Sequence, residues 1–177
     1  MNNETFELFF AMLAVATLVG TLIVLASRTI LRSTGFGTAV IDGFRPFARP
    51  LSAAIATTCM LGSLYFSEIV NYKPCRLCWF QRGFMYPLAI LLVVFTILKT
   101  RRIGRIVAPL AAIGASISLY HWLLERFPDN LDSGVCSKDV PCEFIWFELF
   151  GFVTLPFMAL TGFLAIIVFN TLPTPTE

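Results

Sequence analysis

The chain has 177 residues, of which 57% are hydrophobic, 14% are aromatic and 14% are charged, with a formal net charge of +2 and a mean hydropathy of +0.79. Soluble domains carry roughly a quarter charged residues, so this composition excludes an ordinary water-soluble globule and makes the bilayer the solvent. So small a net charge offers no basis for nucleic-acid binding; where the basic residues lie matters more than their sum.

A helix crossing about 30 Å of hydrocarbon needs roughly 20 apolar residues, and five uncharged runs meet or approach that length. The first lies between Glu7 and Arg28, the second over 50–67, the third over 83–98 with Trp79 and Phe80 extending it, and the fourth over 106–124. The fifth follows Glu148, and its apolar part ends near Asn170. Residues 1–7 hold no Lys or Arg, and the first run exceeds the core of a signal peptide, so it is expected to be a retained helix. Pro87, Pro109 and Pro156 fall inside runs and are tolerable in a membrane bundle.

Charge orients the bundle. Segment 28–49 carries Arg28, Arg32, Arg45 and Arg49, and the turn 99–105 carries Lys99, Arg101, Arg102 and Arg105: eight of thirteen basic residues on one side. The other side holds nine of the eleven acids. The positive-inside rule then places the N-terminus outside and the C-terminus in the cytoplasm. Segment 28–49, with Phe36, Phe44 and Phe47 among its arginines, reads either as an interfacial amphipathic stretch or as a plain basic linker.

Four of the five cysteines lie outside the runs. Cys75 and Cys78 form C-R-L-C at the mouth of the third run, and Cys136 and Cys142 lie in the loop between the fourth and fifth. Two crossings separate the pairs, which puts both on one face, extracytoplasmic by the charge count. In an oxidising compartment cysteine pairs persist as disulfides, and a Cys-x-x-Cys is more often redox-active than metal-bound. A ring closed over two residues constrains little of the unfolded chain, which disfavours an inert staple. Pro74 precedes Cys75 and starts a helix, setting both sulfurs where the helix dipole favours a thiolate. For Cys136 and Cys142 a redox role and a structural bridge stand equally open. Four thiolates around zinc fit the spacing but not the oxidising face, so no metal is expected. Covalent haem fails because Trp79 stands where a histidine is needed, and a lone histidine, His121, excludes bis-histidine haem within one chain.

A dithiol at the bilayer surface needs a lipid-soluble two-electron partner, a requirement that a quinone meets. Arg82, one turn beyond Cys78, suits stabilising a Cys78 thiolate and a quinone carbonyl, or else snorkels to headgroups. His121, at the matching depth of the fourth run with Glu125 one turn on, suits a hydrogen bond to a quinone oxygen or a proton relay, or else a local polar partner. Tyr120 and Trp122 read as interfacial anchors, Cys59 as a small buried apolar residue, and Trp79, Phe80 and Tyr86 as bundle packing.

N-Y-K-P-C-R-L-C-W-F-Q-R at 71–82 with M-Y-P at 85–87, I-S-L-Y-H-W at 117–122 and P-C-E-F-I-W-F-E-L-F-G-F-V-T-L-P at 141–156 resemble the DsbB/BdbC family of membrane disulfide oxidases. The resemblance covers about 50–170, and the short gap between Cys136 and Cys142 is closer to the BdbC branch. It implies an all-α membrane protein: a four-helix redox bundle over 50–170, joined here to an extra N-terminal transmembrane helix over 1–27. A basic interfacial or cytoplasmic linker would span 28–49 and a cytoplasmic tail 171–177. It further implies a multi-pass protein of the bacterial cell (inner) membrane that reoxidises an extracytoplasmic, DsbA-like thioredoxin-fold thiol oxidase and passes the electrons to ubiquinone or menaquinone. By resemblance, Cys136 takes the mixed disulfide with the partner, Cys142 exchanges with Cys75, Cys78 faces the quinone, and Arg82 and His121 stand beside it. Two other functions remain in view: a quinone-reducing thiol enzyme like the vitamin K epoxide reductases, and a non-catalytic, disulfide-stapled membrane subunit.

Overall fold

The computed structural model describes residues 3–98, 104–128, 136 and 140–172. It is an all-α membrane bundle, and no strand is formed among the described residues. Helix α1, Asn3–Thr29, has Glu4 in its first turn and Arg28 in its last, matching the sign of the helix dipole at each end. Helix α2, Gly35–Phe44, starts at Thr34, whose hydroxyl accepts the Gly37 N–H at 3.1 Å. Gly37 is required there, because a Cβ would sit 2.1 Å from the Leu31 carbonyl oxygen. A 3-10 turn, Arg45–Phe47, leads into α3, Ala48–Leu64. The segment 28–49 is therefore largely helical, with Phe36 and Phe47 facing outward and Phe44 stacked on Phe169.

Helix α3 widens into a π-turn at Tyr65–Ile69, and Asn71, at φ 63°, reverses the chain in the left-handed conformation that asparagine tolerates. Helix α4 spans Arg76–Ile97 with Cys75 as its N-cap, α5 spans Gly104–Arg126, and α6 spans Leu155–Asn170. Among the described residues three helices, Asn3–Thr29, Arg76–Ile97 and Arg105–Arg126, are long and apolar enough to cross a membrane, and α6 is a shorter apolar helix. The fifth uncharged run becomes helical only at Leu155. Before it, Leu149–Val153 close a tight turn with Phe150 and Gly151 at φ 56° and 74°, and Pro156 then sits in the first turn of α6, where its missing N–H costs nothing.

Helix α6 packs against α5, α3 and α1, while α4 lies against α3 and α5. With little hydrophobic drive between helices in lipid, close packing through small residues supplies cohesion. A Cβ at Gly114 would meet the Phe163 ring at 2.3 Å, and one at Gly162 would meet Cys59 Sγ at 2.7 Å. Cys59 is thus a packing residue of the α3/α6 crossing. The core around Ala53, Ala56, Leu88, Ala111 and Phe163 holds the helices rigid beneath the end that carries the cysteines.

Candidate active site

Local sequence places Cys75. Pro74 cannot donate a backbone hydrogen bond, the helix starts immediately after Cys75, and Cys75 Sγ accepts the Cys78 N–H at 3.3 Å. The two sulfurs stand 3.0 Å apart as thiols. Cys75 is only 5% exposed, in a cluster with Leu77, Leu124 and Cys142. The Cys78 thiol and His121 hold the Cys75 thiol far below the ordinary range, down to about 4, against the upward push of burial. The shift favours the thiolate at Cys75.

Cys136 and Cys142 form a disulfide. Cys142 is buried, and its sulfur, Cys75 Sγ and a ring nitrogen of His121 all lie within 4.8 Å of one another. Such a trio is also a possible metal set, but the Cys142 sulfur is bonded to Cys136 and offers no thiolate. What the trio presents instead is a thiolate beside a disulfide, the arrangement needed for exchange.

His121 is 2% exposed. Its Nε2 lies 3.0 Å from the Cys142 carbonyl oxygen and 3.6 Å from Cys75 Sγ. A carbonyl can only accept, so Nε2 carries the proton, which a thiolate at Cys75 can share. In the neutral ring Nδ1 must then accept, and the Gln81 amide donates to it at 2.9 Å. Gln81, itself buried, therefore fixes the tautomer. Glu125 follows one turn along α5 and accepts a hydrogen bond from the Thr154 hydroxyl at 2.6 Å, while Trp122 Nε1 donates to the Phe152 carbonyl at 3.1 Å. Trp122 thus ties α5 to the turn before α6 and is more than an interfacial anchor.

Cys78 packs against the Cys75 cluster on one side and on the other borders a groove of about 340 Å³ that Arg82, Tyr86, Met85 and Trp146 also line. The Arg82 guanidinium donates to the Ser63 carbonyl at 3.0 Å and lies over the Trp79 ring at 5.2 Å. Ser63 precedes the π-turn, and such bulges recur at functional sites. The Tyr86 hydroxyl donates to Ser63 Oγ at 3.4 Å. Trp79 and Phe80 face outward, 59% and 46% exposed, because the inward side of this turn belongs to Leu77, Cys78 and Gln81.

The six residues singled out from sequence thus fall into two groups. Cys75, His121, Cys136 and Cys142 converge, Arg82 lines the groove, and Cys78 belongs to both, 3.0 Å from Cys75 and in the groove wall, from which His121 is absent. Gln81 and Ser63 went unmarked, since a glutamine inside an apolar run and a serine near a helix end carry no distinctive signal. The polar spacing of His121 and Gln81 toward one helix crossing appears only once the helices are packed.

Comparison with known proteins gives the family. Residues 46–172 match the family model described as disulfide bond formation protein DsbB. Disulfide bond formation protein C of Bacillus subtilis (strain 168) is 45% identical over 121 residues, 68% of this chain and 88% of that protein. Probable disulfide formation protein C 1 of Bacillus cereus is 47% identical over 108 residues, 61% of this chain and 78% of that protein. Probable disulfide formation protein C of Halalkalibacterium halodurans is 41% identical over 117 residues, 66% of this chain and 85% of that protein. No solved structure matches the chain.

Proposed function

The chain belongs to the DsbB family of disulfide bond formation proteins, and from that premise we propose that it reoxidises an extracytoplasmic, DsbA-like thioredoxin-fold thiol oxidase and delivers the electrons to a membrane quinone, ubiquinone or menaquinone. As a multi-pass membrane protein of disulfide formation, it has two cysteine pairs to connect. The observation that carries the proposal is the approach of Cys75 Sγ to Cys142 Sγ within 4.8 Å, with His121 beside both.

The partner dithiol attacks Cys136, and resolution of that mixed disulfide leaves the partner oxidised and Cys136 and Cys142 as thiols. The Cys142 thiolate then attacks Cys75 of an oxidised inner pair, so a Cys75–Cys142 bond forms as the Cys75–Cys78 bond breaks and Cys78 leaves as thiolate. Attack of Cys136 on Cys142 releases Cys75, and two electrons have moved from the outer pair to the inner. The pairing described above, outer pair bonded and inner pair reduced, is the state that follows this step. His121 N–H faces the Cys75 sulfur and stabilises the charge on it as it leaves, acting in a site where water is scarce.

The groove supports the choice of acceptor. It is mostly apolar, is bordered by Cys78 and carries two cations, Lys73 and Arg82, of which Arg82, one turn beyond Cys78, is suited to a carbonyl oxygen. A quinone held there would take two electrons and two protons, restoring the Cys75–Cys78 disulfide. Placement of this end on the extracytoplasmic side of a bacterial cell membrane rests on the eight basic residues of the opposite loops.

Anaerobic mixing of the purified protein with a reduced thioredoxin-fold oxidase and decylubiquinone tests the proposal by quinone absorbance. Loss of quinone matched by partner oxidation, and abolished by Cys78→Ser, is expected. Quinone loss supported by small thiols but never by the partner would favour the epoxide-reductase-like alternative, and no turnover with either would leave the stapled subunit.

A further inference from the structure

We propose that α1, which lies outside the family-matched residues 46–172, forms a wall of the acceptor groove and governs which quinones it admits. The inference rests on the reading that this groove takes a quinone. Phe10, Leu13, Ala14 and Thr17 all line the groove that Cys78 and Arg82 open onto. Their spacing of three, four and seven residues is that of one helix face. Over it the helix rises about 10 Å, the same rise as from Cys78 to Met85 on α4, both of which line the same groove. The opposite face, Phe9, Met12 and Val19, is 50% exposed or more and meets lipid.

Two contacts fix this wall to the redox end. The Tyr72 hydroxyl, three residues before Cys75, donates to the Glu7 carboxylate at 2.5 Å, and Tyr72 stacks on Trp146, itself part of the groove. The Phe10 ring packs over Gly62, where a Cβ would come within 2.8 Å of it, and against Phe66. Glycine at 62 leaves the room on α3 that the edge of the Phe10 ring occupies. The face is uncharged and tapers from Phe and Leu near Cys78 to Ala and Thr deeper down. That shape matches a flat ring held near the sulfur with an aliphatic tail beyond it, and side-chain volume at Leu13 and Thr17 limits the ring and tail that enter.

The test uses the full-length protein with three substitutions: Thr17→Phe to fill the groove, Leu13→Ala to widen it, and Val19→Phe on the lipid face as control. Decylubiquinone affinity is read from quenching of tryptophan fluorescence, and an azido-substituted decylubiquinone maps contacts by mass spectrometry of the photoadducts. Thr17→Phe is expected to weaken binding roughly tenfold or more, Leu13→Ala to alter the preference between short-tailed and long-tailed quinones, and Val19→Phe to match wild type, with photoadducts in residues 10–17 as well as on α4. Wild-type binding that neither Thr17→Phe nor Leu13→Ala changes, with adducts absent from α1, would overturn the role of α1 while leaving the quinone reading intact. No quinone binding by the wild type would overturn both.

Discussion

Cys75 and Cys78 are three residues apart, yet they occupy different environments. Cys75 is sealed among His121, Cys142 and Leu124, a small polar network inside the bundle end. Cys78 also borders a long apolar groove whose described lining residues include two cations, Lys73 and Arg82. The contrast arises from helix geometry: Cys75 is the N-cap, turned toward α5, and Cys78, one turn in, faces α3 and α1. Under the proposed function, a Cys-x-x-Cys at a helix start would separate a sulfur for exchange with protein thiols from a sulfur for exchange with a lipid-soluble acceptor.

That division is broken most severely by removing either sulfur. Cys75→Ser and Cys78→Ser should each lower partner-dependent quinone reduction by roughly three orders of magnitude or more, as loss of a nucleophile with no substitute does. They should differ in what accumulates. In Cys75→Ser, electrons stop at the outer pair, so the partner is oxidised once at most; in Cys78→Ser, a Cys75–Cys142 species should build up. Non-reducing gels with peptide mapping distinguish the two.

The next effect concerns the tautomer. Gln81→Leu removes the donor to His121 Nδ1 and leaves a buried nitrogen unpaired, a cost of about 1–3 kcal/mol. Supporting hydrogen bonds of this kind change activity by roughly 10–100-fold. Inter-pair exchange followed by rapid quench should slow by that factor, well beyond any change in quinone affinity, because the lost hydrogen bond is to His121 on the Cys75 side even though Gln81 also lines the groove. A purely structural role would lower both together.

A pH profile sharpens the difference between the two sulfurs. Cys75 is held at about 4, so its thiolate is present above that value and is lost as pH falls through it. Its labelling by a small methanethiosulfonate should be nearly flat from pH 5 to 8 and fall about tenfold per pH unit below 4. The hydrogen bond from Cys78 is the largest cause of the depression, so Cys78→Ala should move the midpoint upward, toward the ordinary thiol range. The smallest expected change is in Thr154→Val, which removes the hydroxyl bonded to Glu125 and should cost about 1 kcal/mol of stability, seen as a modest fall in thermal midpoint in detergent.

Much of this architecture is legible in the residues. Uncharged runs between Glu7 and Arg28 and over 106–124 mark α1 and α5 because nothing but helix satisfies backbone groups in lipid. Pro74 marks the start of α4, and two crossings between the cysteine pairs place them on one end whatever the fine structure. The α6 start was less visible: hydropathy continues from Glu148, while the turn at Leu149–Val153 depends on left-handed Phe150 and Gly151. Segment 28–49 left helix and linker equally open because its arginines mask a ten-residue helix capped by Thr34. The site's division was not legible at all. His121 and Arg82 sit at similar depth in sequence terms, and only packing of α5 against α4 turns His121 toward Gln81 and away from the groove. Contacts such as Tyr72 with Glu7, 65 residues apart, follow from the placement of α1 and leave no trace in local pattern.

The most direct test of the central claim, that Cys75 and Cys142 are the sulfurs through which the two pairs communicate, is to isolate them. In the double variant Cys78→Ser, Cys136→Ser, mild oxidation in membranes followed by peptide mass spectrometry should give a Cys75–Cys142 disulfide in high yield, since the sulfurs already lie within 4.8 Å. Free thiols at both positions, while the wild type under the same conditions forms its Cys136–Cys142 bond, would contradict the account.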